Sequence, residues 1–270
     1  MSKAAKRERQ RQNREARREY EEQVAKRRKR LRSARNFAFI LTPFVIIFAV
    51  LAITNNSGSD NSSSSSSVTC KKVSMPPASQ VTVSAPTQNT VDPSGHYTAT
   101  MDTTCGPITI ALDAANAPVS VNSFLHLVDA GYYNNLAFVR AVKNGVIQAG
   151  SASQDYGGEP PYKVQGEVPK TTPPYPIGTV AMAKTPSDPS GTVGSQFFIV
   201  TGKDFVNLPA DYALLGKVTK GMNVAQKIES FAPKSGDGAL TTPVVINKLT
   251  TSSGAGTTST TAAPSTTSAP

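Results

Sequence analysis

Gly194-Ser195-Gln196-Phe197-Phe198-Ile199-Val200 is the stretch around which the rest of the chain is organised. It follows a loop rich in Pro, Asp, Ser and Gly, and its aromatic and β-branched run reads as a short buried strand. Upstream lie Phe138-Val139-Arg140 and, eight residues beyond that arginine, Gln148. An arginine, two glutamines and aromatic side chains on short strands make a shallow apolar pocket with polar prongs on its rim.

Outward from this stretch, short strands are predicted at residues 97–101, 108–112, 136–140, 146–150, 179–183, 196–200, 214–218 and 244–249, with Gly and Pro between them. Pro118 opens a helix whose apolar positions Val121, Phe124, Leu125 and Val128 follow the helical period, and Gly131 stops it. A second helix over 223–231 carries Val224, Ile228 and Phe231 on one face. Eight strands and two helices without strict alternation predict a mainly β fold, an antiparallel barrel or sandwich with helices at its ends. The folded part is a single domain over 96–250.

Of the 28 Lys/Arg, 15 lie in residues 1–35, with 5 of the 18 Asp/Glu, so the remainder holds 13 of each sign. The net charge of +10 therefore belongs to the N-terminal arm, 1–36, and gives the folded part no nucleic-acid signature. Residues 37–53 are a run of 17 without a charge, at the short end for a spanning helix. Basic residues crowd its N-terminal flank only. A single-pass membrane anchor at 37–54 is expected, with the N-terminus cytoplasmic and the domain outside. The competing reading is a cleaved signal peptide, for which a charged leader of this length is long. Residues 55–95, which include six consecutive serines, read as a Ser/Pro-rich tether. Residues 251–270 hold only Ser, Thr, Ala, Pro and Gly and read as a disordered tail.

Hydrolytic chemistry finds no support. The only histidines are His96 and His126, the latter within the first helix. No GxSxG or phosphate-binding GxxxxGK[ST] is present, and Cys70 and Cys105 form no metal-binding spacing. Beyond a membrane the two cysteines are expected to pair, two separate thiols being the alternative. No cofactor and no metal are expected, and a monomer is expected.

The blocks Phe138-Val139-Arg140, Gln148-Ala149-Gly150, Val180-Ala181-Met182-Ala183, Gly194 to Ile199 and Leu215-Gly216-Lys217-Val218 together resemble the cyclophilin family of peptidyl-prolyl isomerases, in the family's order. Ala117-Pro118 with Val121-Asn122-Ser123-Phe124 resembles its first helix, and Leu208-Pro209-Ala210-Asp211-Tyr212 resembles a bacterial variant. Anchor, serine tether and a cysteine before the domain resemble cell-envelope members from actinobacteria. The resemblance implies a closed eight-stranded antiparallel barrel capped by two helices. It implies that Arg140 is the catalytic arginine with Gln148 beside it. Val146, Phe198 and Leu208 then wall a proline pocket. Ala183, Lys184 and Gln196 lie along the edge that meets substrate backbone, and Tyr212 stands where many members have histidine.

These residue types suit the chemistry. Turning an Xaa-Pro bond meets an amide-resonance barrier of ~18–20 kcal/mol and needs no base or nucleophile. It needs a dry pocket for the ring and a fixed donor for the imide nitrogen, which an always-charged planar fork supplies. The departures are Gly145 where the family has a pocket phenylalanine, Val139 for an aromatic or His, and Lys184 for a common Asn. Asn207 falls near a usual Trp, and the loop 185–194 is longer than the common form. Two functions follow: an isomerase acting on proline-containing polypeptides outside the membrane and assisting folding, or a catalytically weak module gripping proline segments as scaffold or holdase. The retained Arg140, Gln148 and Phe198 favour the first; the pocket thinned at Gly145 favours the second.

Overall fold

The computed structural model describes residues 68–155, 158 and 160–254. The basic arm, the apolar run 37–54, the serine tract and residues 255–270 lie outside the described residues. Among the described residues no helix is long and apolar enough to cross a membrane.

Among the described residues, eleven strands and two helices follow in order: β1 (His96–Thr103), β2 (Gly106–Leu112), α1 (Pro118–Asp129), β3 (Leu136–Val142), β4 (Val146–Ala149), β5 (Val164–Gln165), β6 (Thr179–Met182), β7 (Thr192–Val193), β8 (Phe197–Val200), β9 (Leu214–Lys220), α2 (Met222–Glu229), β10 (Asp237–Gly238) and β11 (Val245–Gly254). A 3-10 turn spans Lys203–Phe205. The strand pairs run β3-β11-β1-β2-β9-β6-β8-β4, and β4 returns to β3. Every one of these pairs is antiparallel, so eight strands close a barrel, as the resemblance implies, and the sandwich alternative falls away. Closure leaves the main ring without an open edge. The short strand β10 adds to β3 beside Ala141 and Val142, and β5 pairs with β7 in a separate ribbon. The sequence signals none of these three two-residue strands.

Met101, Ile108, Ile110, Phe138, Ile147 and Phe197 fill the interior and are fully buried. Helix α1 packs on this core through Val121, Phe124, Leu127 and Val128. Leu125, expected on that face, is only partly covered, and Leu127 takes its place. The helix starts without a capping side chain of its own. Glu167, 48 residues away, supplies it: its carboxylate accepts from the Val119 and Ser120 amides at 2.8 and 3.1 Å, satisfying two orphan donors.

Two boundaries differ from expectation. Thr251 to Gly254, assigned to the tail, continue β11 and pair with β1 from Ala99 back to His96. Polar composition carries no information about backbone pairing, and β1 offers the partners. Residues 68–95, assigned to the tether, run without helix or strand but pack on the domain. Val83 and Val91 are buried, and Thr90 donates twice to Asn122 Oδ1 on α1. His126 meets the Ser84 carbonyl at 2.9 Å, the surface contact its helical position suggests. Cys70 and Cys105 are joined by a disulfide with an S–S distance of 2.05 Å, tying this strap to the turn between β1 and β2.

Candidate active site

The site begins with an irregularity in β3. Phe138 pairs with Ala149, yet Arg140 pairs with Gln148, so two steps on β3 oppose one on β4. In a regular strand, residues 138 and 140 share a face. The extra residue, Val139, breaks that parity and re-aims the strand, as bulges do. Phe138 therefore fills the core while Arg140 turns outward, 24% exposed at its side chain.

A row of side chains crosses the outer wall from there. Arg140 faces Gln148 on β4, and Gln148 faces Phe198 on β8. Directly opposed residues on antiparallel strands share one face. Val146 and Val200 form the next row on the same face. The polar members are linked in one direction. Arg140 Nη1 lies 3.4 Å from Gln148 Oε1, Gln148 Nε2 donates to Gln196 Oε1 at 2.8 Å, and Gln196 Nε2 donates to the Gly158 carbonyl at 2.9 Å. Both glutamines are buried, so the linkage fixes their rotamers and satisfies groups that are costly to leave unpaired.

Below the row lies a second apolar cluster, separate from the core. Val146, Tyr175, Ala181, Phe198 and Val200 are its buried members; Ala183, Phe205, Leu208 and Tyr212 pack against it at the surface. Phe198 meets Tyr212 edge-on, with centroids 5.4 Å apart. Tyr175 is one member that sequence reading missed. Wholly buried, it donates from its hydroxyl to the Tyr212 carbonyl at 2.8 Å and accepts from the Tyr212 amide at 2.8 Å. It thus braces the wall residue from behind. Burial pushes its hydroxyl up to about 12. A lone tyrosine between prolines, Pro174 and Pro176, carries no signal in the sequence.

The thin wall expected at Gly145 is filled from elsewhere. A Cβ at residue 145 would sit 2.8 Å from Cδ2 and Cε2 of Phe205 and 3.1 Å from Val142 Cγ1. The Phe205 ring therefore occupies the space beside Gly145. Gly145 is not among the glycines with positive φ, so ring volume rather than backbone conformation excludes a side chain there. The aromatic ring beside Gly145 is thus supplied by the 3-10 turn.

Lys184 is held across the rim. Its ammonium, on a side chain only 4% exposed, lies 2.7 Å from Asp211 Oδ2, donates to the Asp188 carbonyl at 3.2 Å and stands 5.6 Å from the Tyr212 ring centre. The Lys184 hydrogen bond holds the Asp211 carboxyl below its ordinary range. Ala183, next to it, donates its amide to the Gln196 carbonyl at 2.8 Å. With Gln148, Gln196 and Lys163, Ala183 and Lys184 line a small cleft of about 80 Å³. A larger groove, about 550 Å³, lies on another face between β2, β9 and the loop 168–176, and holds none of the predicted site residues.

Buried hydroxyls set the turn that presents Gln196. Tyr132 donates to Ser195 Oγ at 3.0 Å, Ser195 Oγ donates to the Gly150 carbonyl at 2.9 Å, and Tyr133 donates to the Ser195 carbonyl at 2.9 Å. Burial raises both tyrosines above the usual range. Residue 150 must be glycine: φ is +95°, and a Cβ would stand 2.4 Å from the Ser195 carbonyl oxygen. All nine predicted site residues thus lie on this one face or its rim. The structure adds Tyr175, Phe205 and Asp237, whose carboxylate grips Arg140 through Nε at 2.7 Å and Nη2 at 2.8 Å.

A closed eight-stranded barrel with an arginine, two glutamines and an apolar cluster in one outward row defines a class. Residues 98–251 match the model of the family "Cyclophilin type peptidyl-prolyl cis-trans isomerase/CLD", and the chain belongs to that family. It is 38% identical over 135 residues to peptidyl-prolyl cis-trans isomerase A of Dickeya dadantii, covering 47% of this chain and 68% of that protein. It is 35% identical over 137 residues to peptidyl-prolyl cis-trans isomerase cypE of Dictyostelium discoideum, covering 50% and 85%. The fold is similar to that of a Cryptosporidium parvum cyclophilin, with a TM-score of 0.53 at 22% identity over 58% of this chain and 98% of that one. The chain is a cyclophilin-type peptidyl-prolyl cis-trans isomerase.

Proposed function

We propose that this isomerase acts on Xaa-Pro bonds of extracytoplasmic polypeptides and assists their folding, as a monomer on a single-pass membrane anchor over residues 37–54. Arg140 is its catalytic group. The proline ring enters the apolar cluster against Phe198, Val146, Leu208 and Phe205, and backbone on either side of it runs along Gln196, Ala183 and Lys184. As the imide bond twists, its nitrogen gains lone-pair character and accepts from the Arg140 fork. That bond exists only in the twisted state, so it lowers the barrier without tightening either planar isomer. The observation that carries this reading is the cross-strand row Arg140–Gln148–Phe198, which sets a charged donor one strand away from an apolar pocket. The filled wall beside Gly145 removes the reason to favour a non-catalytic module.

The location rests on different observations. Basic residues crowd only the N-terminal side of the apolar run, which orients a span with that side in the cytoplasm. The Cys70–Cys105 pairing suits an oxidising compartment. The order of anchor, tether and cysteine is that of the cell-envelope forms it resembles. Protease added to intact cells should remove the domain and leave the basic arm protected. A soluble form beginning near residue 53 would replace the anchor with signal cleavage, and a domain protected until lysis would overturn the location.

A further inference from the structure

Asp237 is not among the residues of the predicted site, yet it holds Arg140 through two short contacts. Its two carboxylate oxygens accept from Nε and Nη2 at 2.7 and 2.8 Å, a bidentate pair in the fixed fork geometry of a guanidinium. The carboxylate is itself rigidly placed. It belongs to β10, whose Asp237 and Gly238 pair with Val142 and Ala141 of β3. Lys143 donates its amide to the Gly236 carbonyl at 2.9 Å, and Gly236 donates to the Pro233 carbonyl at 2.8 Å. Two glycines with positive φ, Gly236 and Gly238, flank the aspartate and let the chain turn tightly enough to lie on β3. This short strand pairs with the last residues of β3 beside the arginine, two residues beyond the bulge that turns Arg140 outward.

Resting on the isomerase reading above, we propose that Asp237 is a positioning residue for the reaction: its carboxylate holds the Nε–Nη2 edge of Arg140 and so aims the guanidinium plane toward Gln148 and the pocket. Two effects compete. The carboxylate lowers the net field of the cation, and it removes the rotational freedom of a long side chain. The pair is open to water, with side chains 24% and 43% exposed, so the opposing field is weak while the geometric restraint remains. Aim therefore dominates. A reacting group displaced by ~1 Å costs about 10²-fold, and an arginine that keeps Gln148 but loses Asp237 should lose about tenfold.

The test uses the full chain in detergent micelles with an Ala-Pro peptide, reading kcat and KM separately and the Arg140 Nε–H resonance by NMR. Asp237→Ala should lower kcat about tenfold, leave KM within about twofold, and broaden or shift the Nε–H signal. Asp237→Asn should fall between alanine and wild type, because its Oδ1 still accepts one bond while its NH2 faces the second donor. Asp237→Glu should recover part of the rate. In an Arg140→Ala background, Asp237→Ala should change nothing further. Unchanged or increased kcat in Asp237→Ala would overturn the proposal, as would an equal loss with and without Arg140, which marks a purely structural role. A wild-type protein as slow as Arg140→Ala would instead remove the isomerase reading on which the proposal rests.

Discussion

Exchanging the aromatic group between residues 205 and 145 tests how the pocket wall is built. Phe→Ala at a fully buried position costs about 3–5 kcal/mol. Phe205 is only partly buried, so Phe205→Ala should cost about half of that, roughly 2 kcal/mol, and raise KM about fivefold as the ring loses its wall. Gly145→Phe alone drives its Cβ to 2.8 Å from the Phe205 ring and to 3.1 Å from Val142, and should cost about 1–3 kcal/mol by overpacking. The double variant has one ring and one space again, so the two costs should cancel in large part. A coupling of about 2 kcal/mol, opposite in sign to the single costs, is expected from contacting residues. Urea unfolding gives the stabilities, and peptide exchange kinetics give KM. If Gly145→Phe alone is neutral and raises kcat/KM, and the two changes add without coupling, Phe205 does not fill that wall.

Three further outcomes follow from the same contacts. Replacing both Cys70 and Cys105 by serine opens a link across 35 residues of sequence and should cost roughly 3–4 kcal/mol in the chain-entropy model; an unchanged urea midpoint would exclude that contribution. Tyr175 has a folded pKa raised to about 12 from 10.0, so its contribution is complete below pH 10 and lost as pH rises toward 12; Tyr175→Phe should flatten that alkaline fall in stability, and an unaltered fall would assign it to other groups. Asp211 has a lowered pKa, so its contribution is present above its ordinary 3.8 and lost as pH falls through the folded value; its side chain is 40% exposed and solvent-screened, so Asp211→Asn should show a deficit of under about 1 kcal/mol near neutrality that closes only below the folded value, and a deficit equal at both ends would count against the Lys184 pair.

The barrel is legible in sequence because its strands are short, β-rich and fenced by Gly and Pro, and because the 138–140 and 194–200 blocks stand in a fixed order. The same blocks carry the row Arg140, Gln148 and Phe198, and the site is legible to that extent. What is hidden has a common cause, contacts between residues far apart in sequence. Glu167 caps a helix 48 residues upstream, Asp237 grips an arginine 97 residues upstream, and Phe205 fills the space beside Gly145. Each is an ordinary side chain in a loop or a very short element, with no periodicity to mark it. The bulge at Val139 is hidden as well, because the alternation in Phe138-Val139-Arg140 reads as regular strand. The strap 68–95 has little apolar content, and its attachment depends on Val83, Val91, a disulfide and side-chain amides rather than on a strand.

Arg140 decides the mechanism. Two-dimensional exchange NMR on an Ala-Pro peptide reads interconversion at equilibrium, and titration of the same peptide reads binding. Arg140→Ala should slow kcat/KM by about 10²-fold, roughly 2.7 kcal/mol of transition-state stabilisation, while peptide affinity falls less than about threefold. Arg140→Lys should not recover the rate, because an ammonium lacks the planar fork. Equal exchange rates for wild type and Arg140→Ala, at equal peptide affinity, would contradict the assignment of Arg140 as the group that stabilises the twisted bond.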